Sequence, residues 1–371
     1  GREKVYPEPQ KINGENYTLI YGNLHEHSEN SSCWPAGTEG TLHDEYRFGM
    51  YSEGYNFMGI TDHGYTMNEV YWRKNNRLAD FYHDPPYFAA MPALEWTLTA
   101  NGDLESVYGA GHYNIVFSST DEARKFIRNS QEVFNVNTPE SLNPVLLWQL
   151  LREKQIDCIT IPHHPAAAHH PIDWHVHDPD FVPVVEIFQC RGNAEYPGCP
   201  REIQAKRHVP TESKRAFIDY ALREMKYKMG FIASGDHNNM GLGVAALWVK
   251  RFDREGILEA MRNRHCFATT GDKMRVDFSI NGTFQGATIQ TESPPVLQIN
   301  IKGQHHLEKV EILRDSKVVK ILDFDGVTRE FNDRFTDEHY QEGHTVSYYY
   351  IRATQKNNEI AWSSPIWVEQ A

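Results

Sequence analysis

Tyr17-Thr18-Leu19-Ile20-Tyr21-Gly22-Asn23-Leu24-His25-Glu26-His27-Ser28 is an apolar, β-prone run that ends in two histidines one residue apart. A strand alternates its side chains with a period of two, so His25 and His27 leave it on the same side and their imidazoles can share one metal ion. Taken alone, the pair also fits two solvated or core histidines. Working outward, short apolar runs with His, Asp or Glu near an end recur along the chain. Phe57 to Thr61 leads into Asp62-His63, Phe88 to Leu94 into Glu95-Trp96, Cys158 to Pro162 into His163-His164-Pro165, and Phe231 to Ser234 into Gly235-Asp236-His237. Gly111 to Phe117 carries His112 at its start, and Val182 to Phe188 completes seven predicted strands.

Helix-like segments lie between these runs. Asn143-Pro144 supplies a cap and a first-turn proline ahead of Leu146, Leu147, Leu150 and Leu151; Thr211 to Met229 and Arg254 to Arg264 carry apolar stripes. Strands alternating with helices predict an α/β fold, a distorted seven-stranded TIM-like (β/α)7 barrel over residues 1–271. From 272 to 371 short strand-like runs separated by Asn281-Gly282, Asp315-Ser316 and Asn357-Asn358 predict a small all-β, sandwich-like domain that packs on the barrel without contributing to catalysis. In a parallel barrel the strand C-termini meet on one face, where active sites are built. His112, at a strand start, fits that geometry least. Burying so many imidazoles and carboxylates in one mouth costs several kcal/mol without a cation, on the order expected for unpaired buried polar groups. A metal cluster removes that cost.

Gly22-Asn23-Leu24-His25-Glu26-His27-Ser28, Ile60-Thr61-Asp62-His63, Glu95, His112, His164-Pro165 and Ser234-Gly235-Asp236 together resemble the polymerase and histidinol phosphatase (PHP) metallohydrolases, over roughly residues 17–270. Val185 to Phe188, Arg191 to Glu195, Cys266 to Gly271 and Ile360 to Ile366 resemble, more narrowly, a bacterial PHP-like branch with an appended β domain. The resemblance implies a distorted barrel binding up to three divalent metals. It also implies that His25, His27, His63, Glu95, His112, His164 and Asp236 are ligands, with His163 as the fallback for His164 and Glu95 or Asp236 suited to bridging. Asp62 reads as a partner that fixes an imidazole tautomer.

The chain departs from the trinuclear members between Ser28 and Leu42, which hold no His or Asp apart from the carboxylates Glu29 and Glu39, and at Asn238. One or two tightly bound ions, zinc, manganese or iron, are therefore expected. Adjacent residues on an extended strand face opposite ways, so His237 is expected near the substrate as a general acid or hydrogen-bond donor rather than as a ligand. Arg191 reads equally as a clamp for an anionic group or as an ion-pair partner of Glu186 or Glu195. His169, His170, His175 and His177 around Trp174 either line a substrate mouth or are solvated, and Trp34, Tyr65 and Trp96 form an apolar wall or ordinary packing.

The function these features imply is a metal-dependent hydrolase acting on a small-molecule phosphoester. Carboxyl ester, carbamate or amide bonds are the alternative, and a non-catalytic, metal-stabilised binding protein is the reading from another class. Thirty-seven basic against fifty acidic residues, a net charge of −13, argue against nucleic acid as a partner. No apolar run approaches the roughly 18 residues needed to cross a bilayer. Five cysteines without CxxC spacing read as neither a disulfide framework nor a zinc finger. The first residues show no signal peptide, which leaves the cytoplasm and the periplasm both open, and nothing indicates an oligomeric state.

Overall fold

The structure, a computed structural model, describes residues 6–31, 39–97, 111–127, 144–167, 171–203, 211–237, 239–342 and 345–370. Cys33, Trp34, Asn143, His169, His170, Asn238 and His344 lie outside them, as does the side chain of Tyr65.

The seven expected strands are present as β2 (Glu15–Asn23), β3 (Phe57–Ile60), β4 (Ala89–Thr97), β5 (His112–Phe117), β6 (Cys158–His163), β7 (Val184–Gln189) and β9 (Gly230–Ala233), with β1 (Pro9–Ile12) and β8 (Gly192–Asn193) as short additions. Each contributes to one apolar core, through Ile20, Phe57, Met91, Val116, Ile161, Val184 and Ile232. The ladders differ from the expected barrel. β2, β3 and β4 run parallel, but β5 is antiparallel to both β4 and β6, and β7 pairs with β8 and β9 in a separate three-stranded sheet. No ladder among the described residues joins β6 to β7 or β9 to β2, so no closed barrel forms. The physical reason lies at β2, whose free edge is taken by β10 (Val244–Val249), antiparallel from Thr18 to Gly22. A closing β9 has nowhere to hydrogen-bond.

β10, an unbroken apolar run that is not among the seven predicted strands, begins the extension of the sheet. It pairs with β11 (Cys266–Thr269), which pairs with β20 (Ile360–Ser363), and the ladder continues through β19 (Val346–Gln355) and β21 (Ile366–Gln370) to β14 (Thr288–Thr291). β16 (Leu307–Arg314) and β17 (Lys317–Asp323) extend from β19, giving a sheet of 14 strands. The C-terminal region is thus β-rich. Its second sheet, β12 (Arg275–Ile280), β13 (Thr283–Phe284), β15 (Val296–Lys302) and β18 (Glu330–Thr336), supplies Val276, Phe278, Leu297 and Ile299 to a core shared with Trp248 and Phe267 of the long sheet and Tyr349 and Ile351 of β19.

Helices Pro144–Glu153 and Arg254–Arg262 lie where their apolar stripes predict. The helix expected over Thr211–Met229 is cut to a 3-10 turn, Thr211–Ala216, and a short helix, Ile218–Arg223. Phe217 is extended, and the N–H groups of Ile218 and Asp219 donate to the carbonyls of Ala194 and Glu195 at 3.0 and 2.9 Å instead of to a preceding helical turn. Helix Glu69–Tyr82, which the sequence reading missed, begins at Asn68, whose side chain accepts from the N–H groups of Val70 and Tyr71.

Candidate metal centre

Strand parity builds the site. Along β4 the inward positions Ala89, Met91 and Ala93 continue to Glu95 and Thr97; along β6, Ile159 and Ile161 continue to His163; along β5, Val116 continues back to Asn114 and His112; along β7, Val184 continues to Glu186. One end of the apolar core therefore becomes polar, with every one of these residues buried. His112 joins the others because β5 is antiparallel, so that its N-terminal end lies beside the C-terminal ends of its neighbours. Asn23 fixes the end of β2 by accepting from the N–H groups of His25 at 3.0 Å and Gly235 at 3.3 Å.

Glu95 stands at the centre. Its Oε1 lies 2.9 Å from His112 Nδ1, 3.3 Å from His63 Nδ1 and 3.4 Å from His163 Nε2, while Oε2 lies 3.1 Å from His27 Nε2 and 3.5 Å from His25 Nε2. Asp236 adds Oδ1 at 3.6 Å from His25 Nε2 and 3.5 Å from His27 Nε2. Four groups of three have ligand atoms all within 4.8 Å of one another: His25, Glu95 and His163; His25, His27 and Asp236; His112, His163 and His164; and His27, His63 and His237. All seven residues expected as ligands, and the fallback His163, thus meet in one place.

Two departures from the extended strand decide which neighbouring residues reach the cluster. His164 has φ 34°, which turns the chain so that His164 and His163 both reach His112. β9 ends at Ala233 and Asp236 has φ 74°, so Asp236 and His237 no longer face opposite ways. His237 stacks on His27 with ring centroids 3.7 Å apart, and its Nδ1 is hydrogen-bonded to Glu39. Arg191 pairs with Asp236 rather than with Glu186 or Glu195, and its side chain is 42% exposed. Glu195 instead binds Arg352.

Around the cluster, the ring nitrogens of His25 and His27 that face away from Glu95 and Asp236 have partners. His25 Nδ1 meets Glu186 Oε2 at 2.9 Å, and His27 Nδ1 meets Ser31 Oγ at 2.9 Å. Ser31 in turn donates to Asp62 at 2.9 Å, which gives Asp62 its expected supporting place at one remove. Thr97 Oγ1 lies 2.7 Å from His63 Nδ1 and donates to Glu95 at 2.6 Å. Glu186, Ser31, Thr97 and Glu39 were missed as site residues; for Glu186 and Thr97 the signal was present, since each continues the inward parity of its strand. Asp173 lies 2.8 Å from His175 Nδ1, His177 stacks on Tyr227, and Trp174 donates to the Ala216 carbonyl; none belongs to the four groups.

The electrostatics are those of opposed charges out of water. Burial works against charge on His25, but Glu186 and Glu95 outweigh it and raise its pKa to about 9. Burial and neighbouring imidazoles hold His27, His163 and His164 well below the usual histidine range. Burial alone would push Glu95 up, yet His63 and His163 hold it well below the usual carboxylate range. Beside the cluster Glu26 lines a cavity of about 660 Å³ with Glu45, whose pKa burial raises to about 7.

A divalent ion fits these donors. His25 Nε2, His27 Nε2 and both His163 nitrogens are buried without a hydrogen bond among the described residues, at a cost of about 1–3 kcal/mol each if left so. Imidazole nitrogens and carboxylate oxygens suit zinc, manganese and iron.

The family described as "Protein of unknown function (DUF3604)" matches residues 51–199 and 208–300, more than half of the chain, and the chain belongs to that family. It is 30% identical over 243 residues to an uncharacterized protein of Chlamydia pneumoniae and 28% identical over 242 residues to one of Chlamydia trachomatis, each match covering 57% of this chain and 38% of the relative. The matched part thus spans well under half the length of those relatives. Among solved structures the chain is similar, at 12% identity and TM-score 0.47 over 98% of this chain and 99% of the other, to a two-domain protein from Bacteroides vulgatus containing a predicted PHP-like metal-dependent phosphoesterase. It is also similar to PsfC from Pseudomonas syringae, at 12% identity and TM-score 0.36 over 62% and 82%. TM-scores this low leave the site to be read from the residues of this chain.

Proposed function

We propose that this DUF3604 member is a metal-dependent hydrolase acting on a small-molecule phosphoester. The observation that carries the reading is the division of Glu95: one carboxylate oxygen faces His63, His112 and His163 and the other faces His25 and His27, so that these residues together would hold the metal. One or two tightly held ions are expected, because a third in the group of His27, His63 and His237 would have to share His27 with the ion beside Glu95. When bound, such ions lower the pKa of a coordinated water toward about 7 and polarise the bond under attack.

The chain's own residues supply the rest. His237, oriented by Glu39 at Nδ1 and only 14% exposed, is placed to hand a proton from Nε2 to a leaving oxygen. Arg191, beside Asp236 and partly open to solvent, is placed to take an anionic oxygen of the substrate. The choice of a phosphoester over a carboxyl ester, carbamate or amide rests on Arg191 and on the PHP-like motifs. The experiment is a hydrolysis screen over phosphomonoesters, phosphodiesters, carboxyl esters and carbamates, run on metal-free protein reconstituted with zinc, manganese or iron. Cleavage confined to carbonyl substrates refutes the phosphoester reading. One tightly held ion without turnover of any substrate refutes the enzyme reading in favour of a binding protein.

A further inference from the structure

We infer that Glu186 is a positioning residue for the cluster, one carboxylate that sets two of its histidines at once; this rests on the metal-dependent reading above. Glu186 lies on β7 and is 1% exposed. Its two oxygens do different jobs. Oε2 lies 2.9 Å from His25 Nδ1, and Oε1 accepts from the backbone N–H of His164 at 3.0 Å. A carboxylate can only accept, so once a metal ion takes Nε2, which faces Glu95 and Asp236 at 3.5 and 3.6 Å, the remaining imidazole proton of His25 would belong on Nδ1. A histidine whose outer nitrogen donates to a carboxylate is fixed in tautomer and orientation and becomes a stronger ligand.

The second oxygen acts on the backbone. His164 at φ 34° occupies a left-handed conformation that a side chain other than glycine adopts rarely. The hydrogen bond from its N–H to Glu186 helps hold that turn, and the turn is what lets the adjacent His163 and His164 both reach His112. His25 enters two of the four candidate groups and His164 enters a third, so Glu186 bears on all but the group of His27, His63 and His237. Among the described residues no lysine or arginine forms an ion pair with Glu186; its one such partner is His25. An ordinary structural ion pair therefore does not account for this buried carboxylate. His27 and His63, by contrast, are held by the hydroxyls of Ser31 and Thr97.

The test compares full-length wild type with Glu186→Gln, which keeps the volume but must present an amide N–H to one of the two donors. Apo protein is titrated with zinc and with manganese against a chelator of calibrated affinity, stoichiometry is read by elemental analysis, and cobalt-loaded protein gives a ligand-field spectrum. Glu186→Gln is expected to bind about 10–100-fold more weakly and to alter the cobalt spectrum. A variant that is less stable but binds metal as wild type does has lost only a structural contact, and that result overturns the inference. If the variant does not fold, nitrogen NMR of zinc-loaded wild type decides: a proton on His25 Nδ1 with metal on Nε2 supports the assignment, and the opposite tautomer refutes it. Wild-type protein that binds no divalent ion refutes the metal reading itself, whereas tight binding indifferent to Glu186 refutes this inference alone.

Discussion

Replacing Arg352 with methionine tests how the metal-bearing half is tied to the C-terminal strands. Arg352, on β19 and 2% exposed, places Nη1 2.8 Å from Glu195 Oε2 and Nε 2.9 Å from Glu311 Oε2. Glu195 also accepts from the Tyr350 hydroxyl at 2.7 Å and the Trp362 indole at 2.9 Å. Methionine matches much of the arginine's volume but leaves the buried Glu195 carboxylate without its cation, while Glu311 keeps Lys309 at 3.2 Å. Removing one partner of a buried pair costs about 3–5 kcal/mol, chiefly as the penalty of the stranded charge. For a chain of 371 residues each kcal/mol shifts the midpoint by roughly 1.3 °C, so the melting midpoint should fall by about 4–6 °C. Urea unfolding followed by tryptophan fluorescence is a suitable assay, since Trp362 touches the network directly. Adding Glu195→Gln to Arg352→Met should recover more than about 1 kcal/mol, because it removes the stranded charge. A loss below about 1 kcal/mol for Arg352→Met, or additivity of the two changes, would refute the reasoning.

Other perturbations separate site from scaffold. His25→Ala should lower metal content and hydrolysis together while circular dichroism stays near wild type; a change in only one of the two would break the link between them. Chelation should abolish hydrolysis, and elemental analysis of metal-replete protein should give one or two ions per chain, so that a reproducible three would overturn the count. Gly22→Ala places a Cβ 2.1 Å from the Phe57 carbonyl and should cost about 1–3 kcal/mol by forcing β2 from β3, with metal affinity falling as His25 moves; unchanged stability would show that the strands have slack. Burial lowers the pKa of His265 and of His177 to about 4, so each is neutral in the fold and takes up a proton more readily when unfolded. Their contribution is complete above about pH 6.5 and is lost as pH falls toward 4, on the order of 2–3 kcal/mol each. His265→Gln should flatten urea midpoints measured between pH 6.5 and 4.5, and an unchanged slope would refute the assignment. Truncation after Gly271 strips β20 from β11 and Arg352 from Glu195, and should give insoluble protein; a soluble, active fragment would show those contacts to be dispensable.

The strands were legible because each carries its own apolar pattern, and the way they pair was not, because pairing is a property of edges. Nothing within Val244–Val249 distinguishes a strand that takes the free edge of β2 from a buried run elsewhere, yet that choice leaves the ladder open. Likewise the apolar stripe from Thr211 onward was real, but the carbonyls of Ala194 and Glu195 compete for the N–H groups a longer helix would need. Such competition comes from residues about twenty positions away. A window that reads one element at a time cannot contain it.

The site was more legible than the fold, for a reason that lies in parity. A strand that buries every second residue in an apolar core and then runs past the end of that core delivers its next inward residue into the space beyond it. Met91 and Ala93 thus specify Glu95 and Thr97, Ile159 and Ile161 specify His163, and Val184 specifies Glu186. The same rule works backward for His112 once β5 is known to be antiparallel. It fails where the backbone leaves the extended region, at His164 and Asp236, and both residues have positive φ. At those two turns the chain brings a histidine inward beside another ligand-type residue, His164 beside His163 and His237 beside Asp236. The residues hardest to place from alternation are therefore those that raise the ligand number above what the strands alone deliver, and His237 is the one on which the count of ions turns.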